Sequence, residues 1–143
     1  MRFSKIGDNE LLVMNKKLEI LLVEDNLLNQ RLTTISLQRH GHEVEIANNG
    51  LEALNMVKNG SYDVILMDIM MPVMDGLEST QKIREFEASQ NNGEKTPIIA
   101  ITANTLDNDR EKCIAIGMDD FMTKPFDMDK LNMIFSDLNI LMD

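Results

Sequence analysis

Basic residues are scarce in this chain: 14 Lys and Arg against 24 Asp and Glu leave a net charge of −10 over 143 residues. Binding to phosphate backbones rests on clustered Lys and Arg, so nucleic acid is excluded as a partner of this chain. Cysteine is nearly absent. Cys113 stands alone, which rules out an intramolecular disulfide and a multi-cysteine zinc site and points to a reducing, cytoplasmic compartment. No apolar run approaches the roughly 20 residues that span a bilayer, so direct membrane insertion is not expected. Nor does the N-terminus form a signal peptide, because Leu11-Leu12-Val13-Met14 is too short and Asp8 and Glu10 interrupt the region before it. Glycine and proline are sparse, seven and three, and no low-complexity segment or internal repeat occurs.

What remains is ordinary for one globular domain: 43% hydrophobic and 27% charged residues, in a chain long enough to bury a core. Residues 1–16 carry a short apolar patch without a sustained period and read as a linker or flexible tail, leaving 17–143 as the folded domain. Continuous apolar runs at 18–23, 63–67 and 97–101, with a shorter amphipathic one at 43–47, predict strands. Runs without strict alternation suit parallel strands buried on both faces. Between them lie helical patterns. Leu28, Leu32 and Ile35 mark one face of a helix over about 26–39, ended by Gly41. Leu51, Ala53, Leu54 and Val57 mark a second before Gly60, and Leu77, Ile83 and Phe86 a third before a polar surface loop at 89–95. A weaker helix covers about 106–116, and a last one with Leu131, Ile134, Phe135 and Leu138 begins at Asp127, a fair N-cap. The order βαβαβαβαβα implies a doubly wound parallel α/β sheet with right-handed crossovers.

Four strand-like runs, the three continuous ones and Asp120-Phe-Met-Thr123, lead into residues suited to phosphoryl chemistry: Glu24-Asp25, Asp68, Thr102 and Lys124. Ligands of open α/β sheets bind beyond the carboxyl ends of the strands, so the four ends predict one pocket. Three carboxylates there repel one another, and a hard divalent cation such as Mg2+ relieves that repulsion while keeping waters and phosphate oxygens. Asp68 is then a candidate nucleophile, with Lys124 and Thr102 to receive a phosphoryl group. Taken singly, each is ambiguous: an acidic pair after a strand is more often a helix-capping loop than a site. Their order and common position make coincidence a poor account.

Over about Leu18 to Leu138 the chain resembles the receiver domain of two-component response regulators. The residues that carry the likeness are Leu22-Val-Glu-Asp-Asn26, Met67-Asp-Ile-Met-Met-Pro-Val-Met-Asp-Gly76, Ile101-Thr-Ala103 and Gly117-Met-Asp-Asp-Phe-Met-Thr-Lys-Pro-Phe126. The resemblance implies a flavodoxin-like (βα)5 fold with strand order 2-1-3-4-5. It implies Asp68 as phosphoacceptor, and Mg2+ held by Asp25, Asp68 and the backbone carbonyl of Met70, with Glu24 acting through water. It further implies Thr102 and Phe121 as switch residues, Lys124 as the phosphate-pairing lysine, and a cis Lys124–Pro125 bond. The function implied is a phosphorelay switch that takes a phosphoryl group from a histidine kinase or a histidine phosphotransfer domain. Such a domain catalyses its own phosphorylation and slow dephosphorylation and is not a turnover enzyme. Output partners or a homodimer would use the face built from the fourth helix, fifth strand and fifth helix. The loop at 89–95 and the Glu24-Asp-Asn26 pattern resemble receivers attached to hybrid sensor kinases.

Glu24 stands where an Asp is often found, and Met70 is apolar where many receivers are polar, which predicts a shielded, longer-lived acyl phosphate. A pseudo-receiver would show losses among the pocket residues, and none occurs. A dehalogenase-type phosphatase would need an acid at Met70, and a flavin-binding flavodoxin would suffer repulsion of phosphate by Glu24 and Asp25. His40 and His42 read as loop residues, Cys113 as inert packing, and Met67, Met71, Met122 and Met133 as core filling.

Overall fold

The computed structural model describes residues 16–103 and 107–140. The linker expected over 1–16 lies, except for Lys16, outside the described residues. Ten elements alternate: β1 (Glu19–Val23), α1 (Leu27–Arg39), β2 (Glu43–Ala47), α2 (Gly50–Asn59), β3 (Val64–Asp68), α3 (Gly76–Ser89), β4 (Ile98–Thr102), α4 (Asp107–Ile116), β5 (Asp120–Thr123) and α5 (Met128–Asp137). All pairings are parallel, in the order β2-β1-β3-β4-β5. This is the flavodoxin-like arrangement expected, and its order reverses between β1 and β3. That switch point opens a crevice at the carboxyl ends of those two strands.

The central strands β1, β3 and β4 are almost wholly apolar because both faces of the sheet are covered there. Side chains alternate across the sheet. Leu21, Val23, Ile65, Met67, Ile98 and Ala100 therefore pack with Ala53, Leu54 and Val57 of α2, Ile83 of α3 and Cys113 of α4. Ile20, Leu22, Val64, Leu66, Ile99, Ile101 and Met122 pack on the other face with Leu37 of α1 and Leu131 and Phe135 of α5. Local polar residues start the helices. Asn26, Asn49, Asp75 and Asp127 each accept a backbone N–H from the first turn that follows.

Helix α1 departs from its sequence pattern. Leu28, Leu32 and Ile35 are 63%, 56% and 45% exposed, while Gln30, Thr33 and Leu37 face inward. Residues two apart lie roughly 200° around a helix, so these are opposite faces. The Asn26 cap, three residues after β1, sets the phase of the helix and turns the leucines to solvent. Met133 of α5 is likewise exposed and fills no core gap, whereas Met67 and Met122 are buried and Met71 packs against the core. No helix among the described residues is long and apolar enough to cross a membrane.

His42 is not an ordinary loop residue: it is 4% exposed. Its Nδ1 accepts a hydrogen bond from the Leu18 N–H at 3.1 Å, and its ring meets Phe135 edge to face at 6.1 Å. Burial, with the nearby His40 charge, holds its pKa below the ordinary 6.5. Protonation at Nδ1 would set two donors against each other. A depressed folded pKa means that the stability contributed by neutral His42 is complete above pH 6.5 and is lost as pH falls from there through the folded value. His42→Asn, which retains an acceptor, is expected to remove part of the fall in urea midpoint between pH 7 and pH 5. Superimposable profiles for the two proteins would contradict this role.

Candidate functional site

The crevice at the switch point collects its residues from four strand ends, those of β1, β3, β4 and β5. Asp68 closes β3 and is buried, Glu24 follows β1 and is buried, and Asp25 beside it is exposed. The β3–β4 register pairs Asp68 with Ile101, so Thr102 stands one residue further along β4, where it is buried. Thr102 in turn pairs with Thr123 of β5, and the Lys124 N–H donates to the Thr102 carbonyl at 2.7 Å. Parallel strands in register thus deliver the residues singled out by sequence to one place.

The Lys124 ammonium lies 3.1 Å from Glu24 Oε1 and 3.2 Å from Asp68 Oδ2. Glu24 Oε2 also accepts the Asn26 N–H at 3.1 Å, and Asp68 Oδ1 takes a long contact of 3.4 Å from the Met70 N–H. Carboxylate oxygens of Glu24, Asp25 and Asp68 all lie within 4.8 Å of one another. One ammonium does not balance three carboxylates. Burial and the Glu24 charge push Asp68 up to about 6, against the opposing pull of Lys124 and the Met70 N–H. Burial lowers the pKa of Lys124, but the two carboxylates outweigh it and raise the value. The donor set is all oxygen and short of positive charge, which fits a hard divalent cation. A cavity of about 450 Å3 leads from Asp68 and Lys124 beneath α1, with Leu22, Leu66, Ile101 and Phe126 in its walls.

The loop after β3 is held by contacts that sequence reasoning did not identify. The Gly76 N–H donates to the Ile69 carbonyl at 2.8 Å, and a Cβ at Gly76 would meet the Asp68 carbonyl oxygen at 2.2 Å. The Gly50 N–H donates to the Met74 carbonyl at 2.9 Å, and Ser79 Oγ donates to the Gly50 carbonyl at 2.8 Å. Between these anchors the Met74 N–H reaches the Pro72 carbonyl at 2.8 Å across Val73, whose φ of 71° is unusual for a β-branched residue. Asn49-Gly50 and Asp75-Gly76, each pairing a cap with a glycine, were the available signal. The Met70 side chain is 75% exposed at the rim, and Phe121 is half-buried against the α2–α4 side of the core. The Lys124–Pro125 bond is cis.

Comparison with known proteins places these features in context. Residues 20–136 match the family described as the response regulator receiver domain. Histidine kinase 5 of Arabidopsis thaliana is 40% identical over 137 residues, covering 80% of this chain and 15% of that protein. Hybrid signal transduction histidine kinase B of Dictyostelium discoideum is 46% identical over 120 residues, covering 78% of this chain and 6% of that protein. The chain thus spans a small part of these relatives. Among solved structures, the receiver domain of a Saccharomyces cerevisiae response regulator, crystallised with a histidine phosphotransfer protein, superimposes with a TM-score of 0.81 at 32% identity, covering 89% of this chain and 94% of that one. The receiver of a Pseudomonas aeruginosa sensor histidine kinase, with magnesium in its active-site cleft, gives 0.74 at 42% identity, covering 85% and 97%.

Proposed function

Since this chain belongs to the response regulator receiver domain family, we propose that it is the phosphoacceptor switch of a phosphorelay, with Asp68 as the acceptor. The observation that carries the reading is the Lys124 ammonium 3.1–3.2 Å from both Glu24 and Asp68, within a cluster of three carboxylates. An Asp68 carboxylate oxygen attacks the phosphorus of a phosphohistidine; the new P–O bond forms as the P–N bond breaks, and the imidazole departs with the electron pair. Lys124 pairs with the transferred phosphoryl oxygens, and the Thr102 hydroxyl donates to them. Asp25, Asp68 and the Met70 carbonyl, with Glu24 through water, would hold Mg2+. When bound, that ion supplies positive charge to the transferring group and orients it.

Inward movement of Thr102, with Phe121 following, would then alter the face formed by α4, β5 and α5, where an output partner or a second copy would bind. The donor, a histidine kinase or histidine phosphotransfer domain, would dock on the exposed stripe of α1, including Leu27 and Leu28, together with Pro125 and Phe126. That apolar stripe has no core to serve, and apolar residues gathered at a surface mark interaction sites. Residues 17–143 form the receiver unit in this reading, and the resemblance to hybrid kinases makes it a piece of such a protein or a free regulator. It acts on itself, stoichiometrically and slowly reversibly, in the cytoplasm.

Intact mass after incubation with Mg2+ and a small acyl phosphate tests the assignment: one phosphoryl group gained, and none when Mg2+ is chelated. No gain from either a small donor or a phosphorylated phosphotransfer protein would refute it. A second expectation concerns lifetime. Met70→Asn replaces an apolar rim with one that holds water, so dephosphorylation is expected to accelerate by about 100-fold at most, the lower end of what a positioned proton-transfer group contributes. An unchanged rate would remove the shielding role.

A further inference from the structure

We propose that Gln30 is a positioning residue for the acidic pair, setting the peptide plane from which Asp25 projects. This inference rests on the phosphoacceptor reading above and extends it to a side chain outside the pocket's reacting groups. Gln30 is 6% exposed, on the inward face of α1 where an apolar residue would be the ordinary choice. Its Nε2 donates to the Glu24 carbonyl at 2.6 Å and to Asn48 Oδ1 at 2.8 Å.

The direction of this network is set from outside. Asn48 gives both its backbone N–H and its Nδ2 to Glu52 Oε1, at 3.0 and 3.1 Å, which leaves its Oδ1 to face Gln30. The Glu24 carbonyl is an acceptor only. Both neighbours of the Gln30 amide therefore demand a donor. The Glu24 N–H is already held by the Ala47 carbonyl at 3.0 Å. With its N–H tied to β2 and its carbonyl to α1, Glu24 has little freedom to rotate either flanking peptide. Because the peptide is planar, a fixed Glu24 carbonyl also fixes the Asp25 N–H and the direction in which Asp25 leaves the chain. Without Gln30, the Glu24–Asp25 peptide could turn, and Asp25, exposed and lacking the Lys124 contact that Glu24 has, would lose its aim.

The test is a Mg2+ titration of the metal-free protein by calorimetry, comparing wild type, Gln30→Met and a destabilised control, Leu131→Val, on the buried face of α5. Gln30→Met keeps the length of the side chain and deletes both donors. Groups that orient metal ligands typically alter affinity by 10- to 100-fold, so Mg2+ binding is expected to weaken about tenfold in Gln30→Met. Leu131→Val is expected to bind as wild type does, and the Asp25 amide resonance of Gln30→Met to shift before any metal is added. Equal affinity for wild type and Gln30→Met would overturn the inference, as would an equal loss in Leu131→Val, which would reduce the effect to stability. Should Gln30→Met not fold, Asn48→Ala cuts the same chain one link further out, and a smaller loss in the same direction is expected. A wild type that took up phosphoryl while Gln30→Met bound Mg2+ normally would remove this inference alone; a wild type that bound no Mg2+ would remove the phosphoacceptor reading as well.

Discussion

Asp68→Asn is expected to gain no phosphoryl mass from any donor and, without divalent metal, to be more stable than the wild type. The first effect follows from losing the nucleophile. The amide is nearly isosteric but carries no anionic oxygen, so uptake should fall below detection. The second follows from the charge balance. The folded pKa of Asp68, about 6, lies above the ordinary 3.8. A raised folded value means that the native state loses stability as pH rises through about 6, so at neutral pH the ionised Asp68 opposes folding. Two pKa units correspond to roughly 3 kcal/mol; screening at this partly open site reduces that to about 1–2 kcal/mol. Urea unfolding at pH 8 in chelator, followed by circular dichroism because the chain has no tryptophan, should show the variant ahead by that amount. Added Mg2+ should raise the wild-type midpoint and narrow or reverse the gap, since only the native state assembles the three carboxylates. A variant less stable than wild type in chelator would mean that the Lys124 contacts dominate the repulsion.

Gly76→Ala should produce the largest loss of fold. Its Cβ would stand 2.2 Å from the Asp68 carbonyl oxygen and 2.9 Å from Ile69 Cα, both of them backbone atoms that cannot rotate away. Relief requires moving α3 or the end of β3, and overpacking of this kind costs on the order of 3 kcal/mol. Because β3 ends on Asp68, protein that still folds should also lose phosphoryl uptake. Gly93 provides the control: its φ is +73°, but an added Cβ meets nothing within 4 Å. Gly93→Ala should therefore cost only about 1 kcal/mol, the penalty of left-handed backbone for an ordinary residue, and leave uptake unchanged. Similar losses for the two alanines would show that the close approach at Gly76 is relieved at little cost.

Much of the site was legible because strand ends are legible. Asp68, Thr102 and Lys124 each follow a short apolar run, and in a parallel sheet all such runs point their carboxyl ends the same way. The inward face of α1 was not. Leu28, Leu32 and Ile35 have the spacing of a core stripe, yet they are exposed, because periodicity reports that a face is apolar without reporting what will cover it. His42 was misjudged for a related reason: its environment comes from Leu18 and Phe135, 24 and 93 positions away. Gln30 showed no pattern at all, since a single amide carries no spacing.

The sequence by itself determined the order of elements, the parallel sheet and which polar residues follow the strand ends, because apolar runs, caps and strand-terminal polar residues are local properties. Tertiary structure alone decided which face of α1 is buried, why Gly50 and Gly76 must lack a side chain, and how Gln30 and Asn48 come to be linked to the Glu24 carbonyl. Those outcomes depend on contacts between elements, such as Gly50 with Met74 and Gln30 with Asn48, which exist only once the sheet has brought the strand ends together.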